Sequence, residues 1–117
     1  MDKRNFTRVN FSAAASIRYN DQVIVGDIEN LSLQGMFIKT SHAIPLNTPL
    51  DVTVHPDSKA SFNLQASAVR CNGTGLGMQI REMDVMSFVH IRNAVALHCN
   101  DHDEVMRETY KVVGCIH

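Results

Sequence analysis

Two arginines four residues apart, Arg4 and Arg8, stand just ahead of the first strongly patterned segment of the chain. A guanidinium is a rigid planar fork of donors. It grips a phosphate bidentately, pairs with O6 and N7 of guanine, or stacks on a purine. Lys3 adds charge beside the pair. A second group follows in Asn30-Leu31-Ser32-Leu33-Gln34-Gly35. Asn30 and Ser32 carry short side chains that donate and accept hydrogen bonds close to the backbone. Gly35 lets the chain turn with positive φ, or lets a ligand come close to the main chain. This is the chemistry of anion and base recognition.

Bond-breaking chemistry has no comparable support. There are no paired carboxylates in a glycosidase-like context, no nucleophile elbow and no glycine-rich loop ending in Lys-Ser/Thr, and Ser32 has no evident base. No enzyme activity and no cofactor are expected. The one rival constellation is His98, Cys99 and His102, with Cys115 and His117 further on. His98 and His102 are spaced i, i+4 and so could share a helix face and bind zinc. Against this, the cluster spans a break expected at Asn100 and matches no regular ligand spacing. His42, His55 and His90 read as isolated surface or loop residues, and the methionines as core filling.

These residues need a scaffold, and the hydropathy pattern supplies one. The 117 residues, 44% hydrophobic and 20% charged, suit a single domain with a modest core. From Phe11 to Ile80 the period is two, as in half-buried strands. Six are expected: Phe11 to Tyr19, Gln22 to about Ile28, Met36 to Lys39, Leu50 to His55, Phe62 to Val69, and Leu76 to Ile80. Asn20-Asp21 tolerates the positive φ of a tight hairpin, and Pro56 to Lys59 and Asn72-Gly73 read as turns. Six short strands with no helices between them predict a mainly β fold, a small antiparallel barrel.

Past Arg81 the period lengthens. Val85, Phe88, Val89, Ile91, Val95 and Ala96 predict a helix with one broad apolar face, capped by Asp84. Asp101 and Glu104 resemble a capping box for a second helix, packed through Val105, Met106, Tyr110 and Val113 and closed by Gly114. The apolar face either packs on the barrel or forms a homodimer; the pattern admits both. The chain thus divides into an N-terminal arm (1–10), a barrel (11–82) and a helical extension (83–117).

A net charge of -1 offers no general field for DNA, RNA or an anionic membrane, so an anion must be held by a local basic cluster. No stretch is long and apolar enough to span a bilayer, and the basic N-terminus lacks the apolar region of a secretory signal. Cys71, Cys99 and Cys115 form an odd, irregularly spaced set, expected as free thiols in a cytoplasmic protein.

Arg4 and Arg8, then Asn30, Ser32 and Gly35 with 21 residues (9 to 29) between the two groups, resemble the signature of the PilZ family of cyclic di-GMP receptors. That signature is Arg-x-x-x-Arg followed by Asp/Asn-x-Ser-x-x-Gly. Gly75-Leu76-Gly77-Met78-Gln79-Ile80 is similar to the glycine-containing final barrel strand of the family. One departure is Gly35-Met36, where members often carry two glycines. The resemblance implies a bacterial second-messenger receptor in which Arg4 and Arg8 bind phosphates and the Hoogsteen edge of guanine. Asn30 and Ser32 would bond the other side of the ligand, and Gly35 would hold the turn. Arg70 falls where members often place a residue that stacks on guanine. Ligand-induced ordering of the arm would then signal to a protein partner. Some members lack the arginines and serve as protein-interaction modules, which is the alternative reading.

Overall fold

The computed structural model describes residues 6–57 and 60–117; Lys3, Arg4 and the end of the Pro56–Lys59 turn lie outside them. Six antiparallel strands form the body: β1 (Val9–Tyr19), β2 (Gln22–Leu31), β3 (Gly35–Lys39), β4 (Pro49–His55), β5 (Phe62–Asn72) and β6 (Gly75–Met83). They close into a barrel in the order β1-β2-β3-β6-β5-β4, as the period-two pattern predicted. Closure is made by β1 on β4, where Ala14 to Arg18 pair with His55 to Asp51. Every second side chain points inward. Ile17, Ile28, Leu31, Ile38, Leu50, Leu64, Leu76 and Ile80 fill the interior almost without exposure.

The β1–β2 hairpin turns on Asn20 and Asp21, both left-handed at φ 48° and 65°. That geometry matches the twist of the flanking strands, and Asn and Asp tolerate it best after glycine. Strand limits exceed the sequence reading at the ends that matter for function. β2 runs on through Asn30, which pairs with Asn10 and Phe37 as a strand residue before the turn. β5 runs on through Arg70, which pairs with Gly77. Pattern reading stops a strand where apolar alternation stops, whereas the backbone ladder continues under polar side chains.

Two helices follow, α1 (Val85–Leu97) and α2 (His102–Thr109). Asp84 caps α1 by accepting from the Ser87 amide at 2.7 Å, and Asp101 caps α2 by accepting from Glu104 at 3.1 Å, both as expected. The buried face of α1 is narrower than the sequence suggested. Phe88, Ile91 and Val95 are buried and Val85 is exposed, while the buried Ser87 hydroxyl donates to the Asn63 carbonyl on β5 at 2.9 Å.

Of the four residues expected to pack α2 on the barrel or on another chain, one joins the buried core. Val105 is buried, but Met106, Tyr110 and Val113 are exposed and Val112 takes the inner position. The inward face of α2 is Val105 and Glu108, three residues apart on one side of the helix. A charged residue holds a core position here because the arm satisfies it, an arrangement hydropathy cannot signal. Gly114 does not close α2, which ends at Thr109; it lies within a 3-10 turn, Val113–Cys115. The chain then returns to β6, where the His117 amide donates to the Met83 carbonyl at 2.9 Å. The three cysteines are free thiols.

Candidate ligand-binding site

The strand registers place four residues in one row across the barrel wall. Asn30 on β2 pairs with Phe37 on β3, Phe37 with Gly77 on β6, and Gly77 with Arg70 on β5. At the β2 end of this row Arg8, the residue before β1, donates from Nη1 to Asn30 Oδ1 at 2.5 Å. The two halves of the sequence pattern therefore meet in space, 22 residues apart in the chain. A shallow cleft of about 230 Å³ lies along the row, lined by Arg8, Met36, Phe37, Val69, Arg70, Gly77 and Met78. A wider apolar hollow of about 550 Å³ adjoins it and shares Val69 and Arg70, with Ile44, Pro45 and Leu46 beyond. Taken together the two reach the size of a typical small-molecule site, ~300–1,000 Å³.

Glycines shape the floor. At Gly77 an added Cβ would sit 3.5 Å from the Arg70 Cβ and 3.7 Å from its Nε, so the Arg70 side chain lies flat over bare backbone. At Gly75 an added Cβ would fall inside the Phe37 ring, which covers that strand where it has no side chain of its own. The row thus has a cation at each end, with the Phe37 ring over one glycine of β6 and the Arg70 side chain over the other. A planar heterocycle bearing phosphate fits such a surface: the guanidinium plane of Arg70 accepts a face and the guanidinium forks take oxygens.

Ser32 and Gly35 frame the turn from inside. Ser32 is buried, and its hydroxyl accepts from the Gly35 amide at 3.1 Å and the Gln34 amide at 3.3 Å. The Ser32 amide donates to the Gly35 carbonyl at 2.8 Å. This is a serine closing its own turn. Gly35 has no positive φ, contrary to one of the two reasons offered for a glycine there. What comes close to its main chain in the structure is the neighbouring strand. An added Cβ at Gly35 would stand 2.5 Å from the Met78 carbonyl oxygen.

Of the residues singled out in the sequence, Arg8 and Arg70 line the cleft, Asn30 holds Arg8, and Ser32 and Gly35 hold the turn that follows Asn30. Arg4 and Lys3 lie outside the described residues. Phe37 and Gly77 were missed as lining residues. The signal for Phe37 was present, since between inward Met36 and Ile38 a period-two strand must point the aromatic outward.

The rival metal cluster does not assemble. His98 ends α1 and His102 begins α2, so the two rings share no helix face. His98 instead lies edge-on to Phe11, and the Cys99 sulfur accepts from the Asp101 amide at 3.2 Å. Among the described residues no three His, Cys, Asp or Glu side chains stand close enough to hold a metal ion. His42, His55 and His90 are surface residues but not isolated. They meet the Thr40 hydroxyl, the Ser16 hydroxyl and the Phe62 ring respectively.

A closed six-stranded antiparallel barrel with a basic, glycine-floored cleft on its wall and two helices after the last strand defines the class. The chain belongs to the PilZ domain family, whose model matches residues 2–113. Among solved structures it is similar to the PilZ domain of YcgR from Escherichia coli with c-di-GMP, at 12% identity and a TM-score of 0.71, covering 96% of this chain and all of that one. The inhibitor of motility MotI/DgrA from Bacillus subtilis matches at 11% identity and a TM-score of 0.67, covering 95% of this chain. YcgR from E. coli in complex with c-di-GMP matches at 14% and 0.71, covering 96%. The chain spans about half of each of these last two, 53% and 51%. No curated protein sequence matches it.

Proposed function

We propose that this chain is a cyclic di-GMP receptor without catalytic activity, acting in the bacterial cytoplasm. The observation that carries the reading is the 2.5 Å bond from Arg8 to Asn30, which joins the two halves of the family motif at one end of the cleft. Two solved relatives of the same fold carry c-di-GMP by name. In this reading Arg4 and Arg8 hold the phosphates and the Hoogsteen edge of guanine, with Lys3 adding charge. Asn30 orients Arg8 and bonds the ligand, Ser32 and Gly35 keep the turn in shape, and Arg70 stacks on a base over Gly77. Engagement of the arm by the ligand carries the signal to a protein partner through an order change at the N-terminus.

Titration calorimetry with cyclic di-GMP tests this. Arg8→Ala removes a charged fork from a phosphate and leaves that charge unpaired, which costs about 2–5 kcal/mol and abolishes micromolar binding. Unchanged affinity in a folded Arg8→Ala protein would refute the assignment.

A further inference from the structure

Glu108 is the one acidic side chain of α2 that is removed from water, with 2% of its surface exposed. Burying a carboxylate is unfavourable unless hydrogen bonds replace its hydration. Both of its oxygens are used, and by the same residue. The Thr7 amide donates to Oε1 at 2.8 Å and the Thr7 hydroxyl donates to Oε2 at 2.7 Å, across 101 positions of sequence. Next to this tie, the Lys111 ammonium lies 5.8 Å from the centre of the Phe6 ring. The C-terminal extension therefore grips the arm at two successive residues, Phe6 and Thr7.

Thr7 lies within the Arg4-x-x-x-Arg8 segment and adjoins Arg8 directly. Its side chain reaches α2, while that of Arg8 reaches Asn30 on β2. The chain is thus held from one side while it presents the arginine on the other. We infer that Glu108 is a positioning residue for Arg8, and that through it α2 and the ligand site form one coupled unit. This rests on the cyclic di-GMP reading of the site. The coupling is reciprocal by thermodynamic necessity: if α2 helps to fix Arg8 for the ligand, the ligand fixes α2 by the same factor. α2 is well placed to show it. At eight residues it is too short to be stable alone and depends on contacts such as the one to Thr7. Occupancy at the cleft is therefore read out as order in α2, on the opposite side of the arm.

Three variants and two readouts test the inference. Glu108→Leu keeps the bulk and removes both acceptors, and Thr7→Val removes the hydroxyl alone. Glu108→Gln retains an oxygen for the Thr7 amide and offers an NH₂ to its hydroxyl. In calorimetry with cyclic di-GMP, Glu108→Leu binds about tenfold more weakly, Thr7→Val falls between, and Glu108→Gln stays within about twofold of the unaltered protein. In hydrogen exchange, cyclic di-GMP slows the α2 amides of the unaltered protein and of Glu108→Gln, but not those of Glu108→Leu. Unchanged affinity in folded Glu108→Leu overturns the inference, as does α2 exchange indifferent to the ligand in the unaltered protein. Should Glu108→Leu fail to fold, Thr7→Val decides by the same two readouts. If the unaltered protein binds no cyclic di-GMP, the reading of the site fails and takes this inference with it. If it binds and the variants match it, only the coupling fails.

Discussion

Replacing Gly35 with alanine places a methyl group where the β6 main chain already stands. The added Cβ would lie 2.5 Å from the Met78 carbonyl oxygen, well inside van der Waals contact, and backbone cannot rotate away as a side chain can. β3 must lift from β6 at the point where the Ile80 amide donates to Gln34 at 2.6 Å and the Ser32 amide to Gly35 at 2.8 Å. Overpacking of this kind costs about 1–3 kcal/mol, and weakening one ladder bond adds about 1 kcal/mol. The lower entropy of the unfolded alanine chain returns about 0.4–1 kcal/mol. The net destabilisation is about 2 kcal/mol, a fall in Tm of roughly 6–10 °C for a domain of this length. Gly73 supplies the control. An added Cβ there meets nothing within 4 Å and its φ is not positive, so Gly73→Ala should be neutral or slightly stabilising, by about 0.5 kcal/mol. Thermal melts and urea titrations followed by circular dichroism measure both variants. A Gly35→Ala protein as stable as Gly73→Ala would show that strand approach is not what requires the glycine, and the account of the turn would fail.

Two further outcomes follow from the same geometry. At Gly77 an added Cβ makes only ordinary contacts of 3.5 to 3.8 Å with Arg70, so Gly77→Ala should leave the melting temperature within about 2 °C. It also roughens the floor under Arg70, and cyclic di-GMP affinity measured by calorimetry should drop by about tenfold. At Asp84 the carboxyl titrates below its usual value, chiefly because the Ser87 amide donates to it. A carboxyl depressed in the folded state stabilises fully above its unfolded pKa, about 3.9, and loses that contribution as pH falls through the lower folded value. Asp84→Asn keeps a capping oxygen without the titration, so its Tm should decline less than that of the unaltered protein over this acid range; parallel declines would refute the linkage.

The barrel was legible because its code is local. Alternation in Leu50, Val52, Val54 and in Phe62, Leu64, Ala66 needs no partner to be read, and Asn20-Asp21 announces its own turn. The site was half legible. Arg8 and Asn30 stood out by residue type and spacing, yet what joins them is register: Asn30 belongs to β2 because the ladder continues under polar side chains. Phe37, Gly77 and Arg70 become one surface only when β3, β6 and β5 are laid side by side in that order. Glu108 was illegible. Its place on the inward face of α2 depends on Thr7, 101 residues away, and hydropathy marked only the apolar Val105, Met106, Tyr110 and Val113 for packing.

That long-range tie bears on how tightly the site can bind. In the proposed reading the barrel supplies the floor, Gly77 with Phe37 and Arg70, but the clamp comes from residues ahead of β1. A segment outside the barrel ladder opens with little free energy unless it is tied down. Apparent affinity equals intrinsic affinity multiplied by the fraction of molecules in which the arm is docked. Asn30 docks it by accepting from the Arg8 guanidinium, and Glu108 docks it by accepting from the Thr7 amide and hydroxyl. The second tie uses no group of Arg8. It raises the docked fraction without competing for the ligand, and it makes the last helix of the chain a determinant of a site built from the first.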